Sequence, residues 1–216
     1  MKRKINARKG ETYEIILSTY DDHGRPNAAP MGIKFVSQNR IRIQFFKGSQ
    51  TLHNVLARNC AVANLTGDAS LFYRLAFKSK TGVSAVLFSQ AKVVNAPLLK
   101  QADGYIEMSF IRDIQHRDRT FVDFNIKRTS WRYVAPALYS RGAHALVEAT
   151  IHSTRIHQFL VEGKKVEAAK LIYVVKYYKD LVKRVSPNSD YAKNIKELQS
   201  KIIGWKRNQS IRQNPL

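Results

Sequence analysis

Cysteine is almost missing from this chain. Cys60 stands alone among 216 residues, so no intrachain disulfide and no cysteine-rich metal site can form. It sits in the apolar run Cys-Ala-Val-Ala-Asn-Leu, where a buried inert thiol is expected. Long hydrophobic runs are missing too: no stretch approaches the ~18 uninterrupted apolar residues of a membrane span. The basic N-terminus has no apolar run behind it, unlike a secretory signal. A soluble, cytoplasmic protein without a membrane partner is the expectation. No Gly-x-Gly-x-x-Gly, phosphate-loop or Gly-x-Ser-x-Gly pattern occurs, which argues against a Rossmann dinucleotide site, a nucleotide triphosphatase and a hydrolase elbow. The six histidines lack metal spacing. Glu148 and His152 can share a helix face, but two ligands are too few for a site.

Acidic residues are scarce as well. Sixteen Asp and Glu against 37 Lys and Arg leave a formal charge of +21. Such an excess attracts polyanions, nucleic acid included. It is also what a diffusely basic surface would show, because the Lys and Arg are spread along the chain. Exposed aromatic and basic residues are not interleaved on one recognisable face, as a single-strand binder requires. A basic nucleic-acid-binding β-barrel without enzymatic activity therefore stands as the alternative, and the diffuse reading is favoured.

With 44% hydrophobic composition the chain can bury a sizeable core. Its first two thirds read as strands. Residues 12–19 alternate Tyr13, Ile15 and Leu17 against Glu14, Ile16 and Ser18. Asp21-Asp22-His23-Gly24 is a turn by its chemistry, joining 12–20 to 26–36 as a hairpin. Pro26 and Pro30 place their positions at an edge or a bulge, since proline cannot donate to a ladder. Arg40–Phe46 turns Ile41, Ile43 and Phe45 to one face. Further strands are expected at 60–66, 83–94, 105–114 and 120–127, with 71–77 ambiguous and 92–100 a connection. Six to eight antiparallel strands suffice for a small barrel.

From Ala143 onward the strand alternation stops. Helices are expected at 146–160, at 164–185 with Val166, Ala169, Ile172, Tyr173, Val182 and Val185 at helical spacing, and after the breaker Ser186-Pro187-Asn188-Ser189. The last carries the stripe Tyr191, Ile195, Leu198, Ile202 and Trp205. That stripe needs a cover, either the preceding helix or a partner subunit. The tail from 206 reads as polar and frayed.

The stretch around which the chain is organised is Lys47-Gly48-Ser49-Gln50-Thr51, between the strand ending at Phe46 and a short helix, 52–58. A glycine, two hydroxyls and a lysine at a helix start suit an anion, because the first amides point outward and the dipole favours negative charge. Ser49 or Thr51 can equally be a plain helix cap. Both readings stay open on residue types alone.

Three stretches carry a resemblance. They are Thr12 to Asp21, Gly24-Arg25-Pro26-Asn27-Ala28-Ala29-Pro30-Met31-Gly32, and Phe46 to Thr51 with Asn54. Ser70-Leu71-Phe72 and Ala145 to Arg155 add to it. Together they resemble an archaeal family of unknown function whose members fold as FMN-binding split barrels with a helical C-terminal extension. The likeness covers most of 11–75 and 141–160. It implies an α+β chain: a basic disordered arm at 1–10, an antiparallel split β-barrel at 11–140 and a helical subdomain at 141–216. It implies FMN as cofactor, with Lys47, Gly48, Ser49, Gln50 and Thr51 at the phosphate and Asn54 nearby. Gln50 departs from the basic residue that the family loop carries. Asn27, Ala29, Pro30, Met31 and Gly32 would line the ring. Met31 can also be ordinary core. Split barrels pair with flavin at the subunit boundary, so a homodimer is implied, with Trp131, Tyr133 and Arg141 as candidates for a second contact set. The activity implied is that of a flavin-dependent reductase or electron carrier of unknown substrate.

Overall fold

A computed structural model describes residue 5 and residues 7–78, 82–132 and 140–213, with side chains to 208. The chain divides into two units. The first joins 1–67 to 78–135, and the second joins 68–77 to 136–216.

The first unit is a closed antiparallel barrel of six strands, ordered β1-β2-β3-β8-β7-β4. They are β1 (Thr12–Tyr20), β2 (Pro26–Ser37), β3 (Arg40–Phe46), β4 (Cys60–Leu65), β7 (Gly104–His116) and β8 (Arg119–Trp131). Helix α1 (Gln50–Arg58) links β3 to β4, and a small ribbon, β5 (Phe88–Gln90) with β6 (Pro97–Leu99), lies outside the barrel order. The alternation read from the sequence is the alternation seen. Ile15, Leu17, Ile41, Ile43, Phe45, Val122 and Phe124 form one buried cluster. The opposite parity of β1 is buried as well, because β6 covers it. Ser18 Oγ donates to the Pro97 carbonyl, while the fully buried Asn64 donates to Ile16 O and Ser18 Oγ and accepts from Leu99 N. Strands with both faces covered lose the clean apolar/polar beat.

Several expectations need correction. The strand expected at 83–94 is a 3₁₀ turn (Ala85–Leu87) followed by the three residues of β5. The chain doubles back at once, with Ala91 N bonded to Ala96 O, so part of the supposed connection 92–100 is β6. The ambiguous 71–77 belongs to helix α2 (Ala69–Ala76), capped by Asp68, whose side chain accepts from Leu71 N at 3.0 Å. The arm expected to be disordered is anchored where it is described. Ile5 and Ala7 pack on the barrel cluster, Lys9 bridges to Phe35, and Gly10 N donates to Phe35 O.

The second unit is helical. It contains α2, α3 (Arg141–Val161), α4 (Lys165–Val185) and α5 (Asp190–Gln213). Segment 68–77 is grouped here and not with the barrel because Ala69 and Tyr73 belong to the helical core. Of the expected α4 face only Val182 is deeply buried. The inward seam is Ala168, Val175 and Val182, one residue every two turns, while Val166 and Tyr173 are exposed. On α5, Ile195, Leu198 and Ile202 are buried as the stripe required. Their main cover is α3, with α2 and α4 also in contact, so the preceding helix is not the chief partner. The helix also runs to residue 213, past the start of the tail expected to fray. No helix among the described residues is long and apolar enough to cross a membrane.

Candidate functional site

The barrel is closed by β3 and β8, yet β2 and β3 part company halfway. Their pairing runs from Ser37↔Arg40 to Ile33↔Ile43. Beyond that point Gln44, Phe45 and Phe46 keep pairing with β8, while Pro26 to Gly32 pair only with β1. One edge of β2 therefore opens over the stretch that holds both prolines. The Ala28 carbonyl accepts from the Lys78 ammonium at 2.7 Å. Residues of equal parity present their backbone groups to the same side of a strand, so Pro26 and Pro30 turn to the same edge, where a missing N–H costs no ladder bond.

The loop at 47–51 enters beside this gap. Lys47 N donates to Asp118 O and Ser49 N to Phe46 O, which closes a tight turn. Gly48 has φ +74 with open space around its missing Cβ, so it is the backbone conformation and not crowding that calls for glycine. Ser49 is the N-cap of α1, and its Oγ accepts from Leu52 N at 3.4 Å. The cap reading thus holds for Ser49. It leaves the hydroxyl hydrogen and the first amides of the helix free of that bond. No acidic side chain stands in the first turn.

Thr51 and Asn27, separated by 24 residues, meet: Asn27 Nδ2 donates to Thr51 Oγ1 at 3.2 Å. The Lys78 ammonium donates to the other end of the Asn27 amide. Lys78 is the residue that sequence reasoning missed. It lies in no motif and reaches the site only because the chain returns there after α2. Burial pushes its ammonium below the usual lysine range. Lys47, by contrast, is exposed.

Not every expected residue comes to the site in the expected way. Asn54 is fully buried, and its amide accepts from Gln50 Nε2 at 2.7 Å and donates to Thr19 Oγ1 at 2.9 Å. It ties α1 to β1 and does not face an open ligand position. Ala29, Pro30, Met31 and Gly32 are half-buried along the open strand, with Met31 packed on the barrel cluster as well. Gly32 allows Thr12 and Glu14 close: a Cβ there would stand 3.0 Å from Thr12 Cγ2. Trp131 is at the far end of β8 from Arg119, whose guanidinium covers the Phe46 ring beside the loop. The structure pairs it with Gly104 and does not bring it to the loop of its own chain. Arg141 opens α3, and Tyr133 lies outside the described residues. Among the described residues no group of three or more His, Cys, Asp or Glu is placed to hold a metal.

Residues 13–135 match the model of the N-terminal domain of a protein family of unknown function, DUF447, and residues 140–198 match the model of its C-terminal part. The chain belongs to the DUF447 family. Among solved structures, the DUF447 protein is 26% identical to the FMN-bound protein MM1853 of the same family from Methanosarcina mazei, with a TM-score of 0.73 over 89% of this chain and 95% of that one. A flavoredoxin from Methanosarcina acetivorans is 14% identical with a TM-score of 0.51, over 61% of this chain and 75% of that one. BorF, the flavin reductase component of a bacterial two-component tryptophan halogenase, is 14% identical with a TM-score of 0.50, over 57% and 81%. The last two likenesses concern the fold alone: the barrel of this DUF447 chain is a flavin reductase-type split barrel.

Proposed function

We propose that this DUF447 chain is an FMN-binding flavoprotein, serving as a flavin-dependent reductase or electron carrier. One observation carries the reading. A helix-start loop rich in hydroxyls, Ser49 to Thr51, lies beside the open edge of β2 in a chain related to FMN-bound MM1853 over most of its length.

The residues present fit the group. The Ser49 and Thr51 hydroxyls and the first amides of α1 are donors for a phosphate, and the positive end of the helix favours its charge. Lys47 and Lys78 supply cationic charge at either flank. Along β2 the open backbone edge offers carbonyls and amides to a heterocycle, and Ala29 and Gly32 keep that edge low. Bound flavin supplies the hydride or single-electron chemistry, while the chain binds, orients and shields it. Asn27 holds Thr51 in place, and Asn54 holds the helix that carries both hydroxyls. A two-fold homodimer belongs to the same reading, with Trp131 available to a partner's flavin and not to its own. The nucleic-acid alternative draws no support from the relatives.

The test is a titration of apo-protein with FMN and with riboflavin, followed by flavin fluorescence. FMN should bind more tightly, and equal affinities would refute the phosphate assignment. Changing Ser49→Ala and Thr51→Ala together should weaken FMN by about 1–3 kcal/mol, because each hydroxyl–phosphate bond is charge-assisted. Riboflavin affinity should hardly move.

A further inference from the structure

On the outer face of the barrel, arginines converge on a single carboxylate. Asp123 on β8 is 5% exposed and lies between β3 and β7. Arg42 donates to it through Nε at 2.7 Å and Nη2 at 3.0 Å, and Arg112 donates through Nε at 3.1 Å. The three side chains border an open depression together with Arg40, Asn39, Asn125 and Ser37. Among the described residues Asp123 is the only acidic one lining it.

Charge decides what this group is for. One arginine would satisfy the carboxylate. A second on the same carboxylate repels the first, and Arg40 adds a third positive charge to the same hollow. Three guanidiniums against one carboxylate leave two charges uncompensated. The geometry leaves donors as well. Of five N–H bonds per guanidinium, the carboxylate takes two from Arg42 and one from Arg112. Two bonds to the buried Asp123 orient the Arg42 guanidinium, and one bond tethers that of Arg112. Such a preset fork suits a tetrahedral oxyanion better than mobile lysines do. A phosphate monoester carries about −1.5 to −2 at neutral pH and so matches the surplus, which a single carboxylate does not.

We propose that Arg40, Arg42 and Arg112 form a binding site for a phosphate-bearing small molecule, with Asp123 as the residue that aims them. The site is separate from the loop at 47–51. Its lining comes from the end of β2, the β2–β3 connection and the outer faces of β3, β7 and β8.

Arginine Nε–Hε resonances report on it directly, whatever binds at the loop. Titrate the full chain with inorganic phosphate at physiological ionic strength, and in parallel with acetate. The Arg42 and Arg112 signals, assigned from Arg42→Gln and Arg112→Gln, should shift saturably with phosphate and not with acetate. Arg112→Gln keeps the Arg42–Asp123 fork, so its thermal midpoint should stay close to that of the parent while phosphate affinity falls roughly tenfold, the loss of one charge-assisted contact. Arg40→Gln should weaken binding severalfold and offers a second variant outside the fork. Unmoved Arg42 and Arg112 signals, an equal response to acetate, or full affinity in both variants would overturn the proposal.

Discussion

The barrel and the helical unit solve the burial of polar groups differently. In the barrel unit, buried polar side chains tie distant strands together. Asn64 links β1 to β6, Asn54 links α1 to β1, and Asp123 links β3 to β7 through two arginines. In the helical unit Tyr73 Oη donates to Glu197 from α2 to α5, but the buried Thr150 and Ser153 each donate to the carbonyl four residues back, Leu146 and Ala149. The first kind of bond fixes tertiary geometry, while the second only satisfies a hydroxyl locally. Parts of a molecule that must hold a ligand need the first kind. The candidate loop and the arginine cluster are both in the barrel.

The sharpest way to challenge this contrast is through the cores. Phe124→Ala removes a fully buried ring from the barrel and should cost about 3–5 kcal/mol in chemical denaturation. A cost below about 1 kcal/mol would mean that the barrel is not held by the cluster described here. Next come the polar ties. Asn64→Ala leaves the buried Leu99 N without its side-chain acceptor and should cost about 2–3 kcal/mol. Amide exchange at Leu99 should rise with it, since β6 loses one of its attachments.

A smaller and pH-dependent effect is expected at Asp123. The Arg42 bonds, then the single Arg112 bond, hold its carboxyl below the usual carboxylate range against the opposing effect of burial. A depressed native pKa stabilises the fold above the ordinary value and loses that contribution as pH falls through the lower one. Asp123→Asn should therefore cost about 1–2 kcal/mol at neutral pH. The gap to the parent should begin to close below about pH 4 and shrink further on acidification. A gap that does not change with pH would show that the carboxylate's charge contributes nothing. Smallest of all is Ser153→Ala in the helical unit, which should shift stability by less than about 1 kcal/mol, because its hydroxyl ties no second element. A loss as large as that of Asn64→Ala would erase the contrast between the two regions.

Much of this was legible in the chain. The inward faces of β1 and β3 followed from alternation. The Asp21–Gly24 turn followed from its residue types, and there Asp21 Oδ1 accepts from the amides of His23 and Arg25. The α5 stripe followed from steps of three and four residues. In 83–94 a 3₁₀ turn at Ala85–Leu87 and a reversal after Gln90 cut the strand to three residues. On α4 the apolar residues outnumbered the inward seam, so spacing alone picked the wrong members.

Residue by residue, then, the sequence determined which side chains prefer the interior, and that a short helix follows the strand ending at Phe46 and its glycine-bearing turn. Those are properties of neighbours, governed by local sterics and periodicity. Tertiary structure alone decided that β2 parts from β3 at Ile33, that Lys78 reaches Asn27 from 51 residues away, and that Arg42 grips Asp123 from 81 residues away. These contacts follow from strand register and chain return. Only closing the barrel brings such distant residues together, and no local pattern encodes which of many cations arrives.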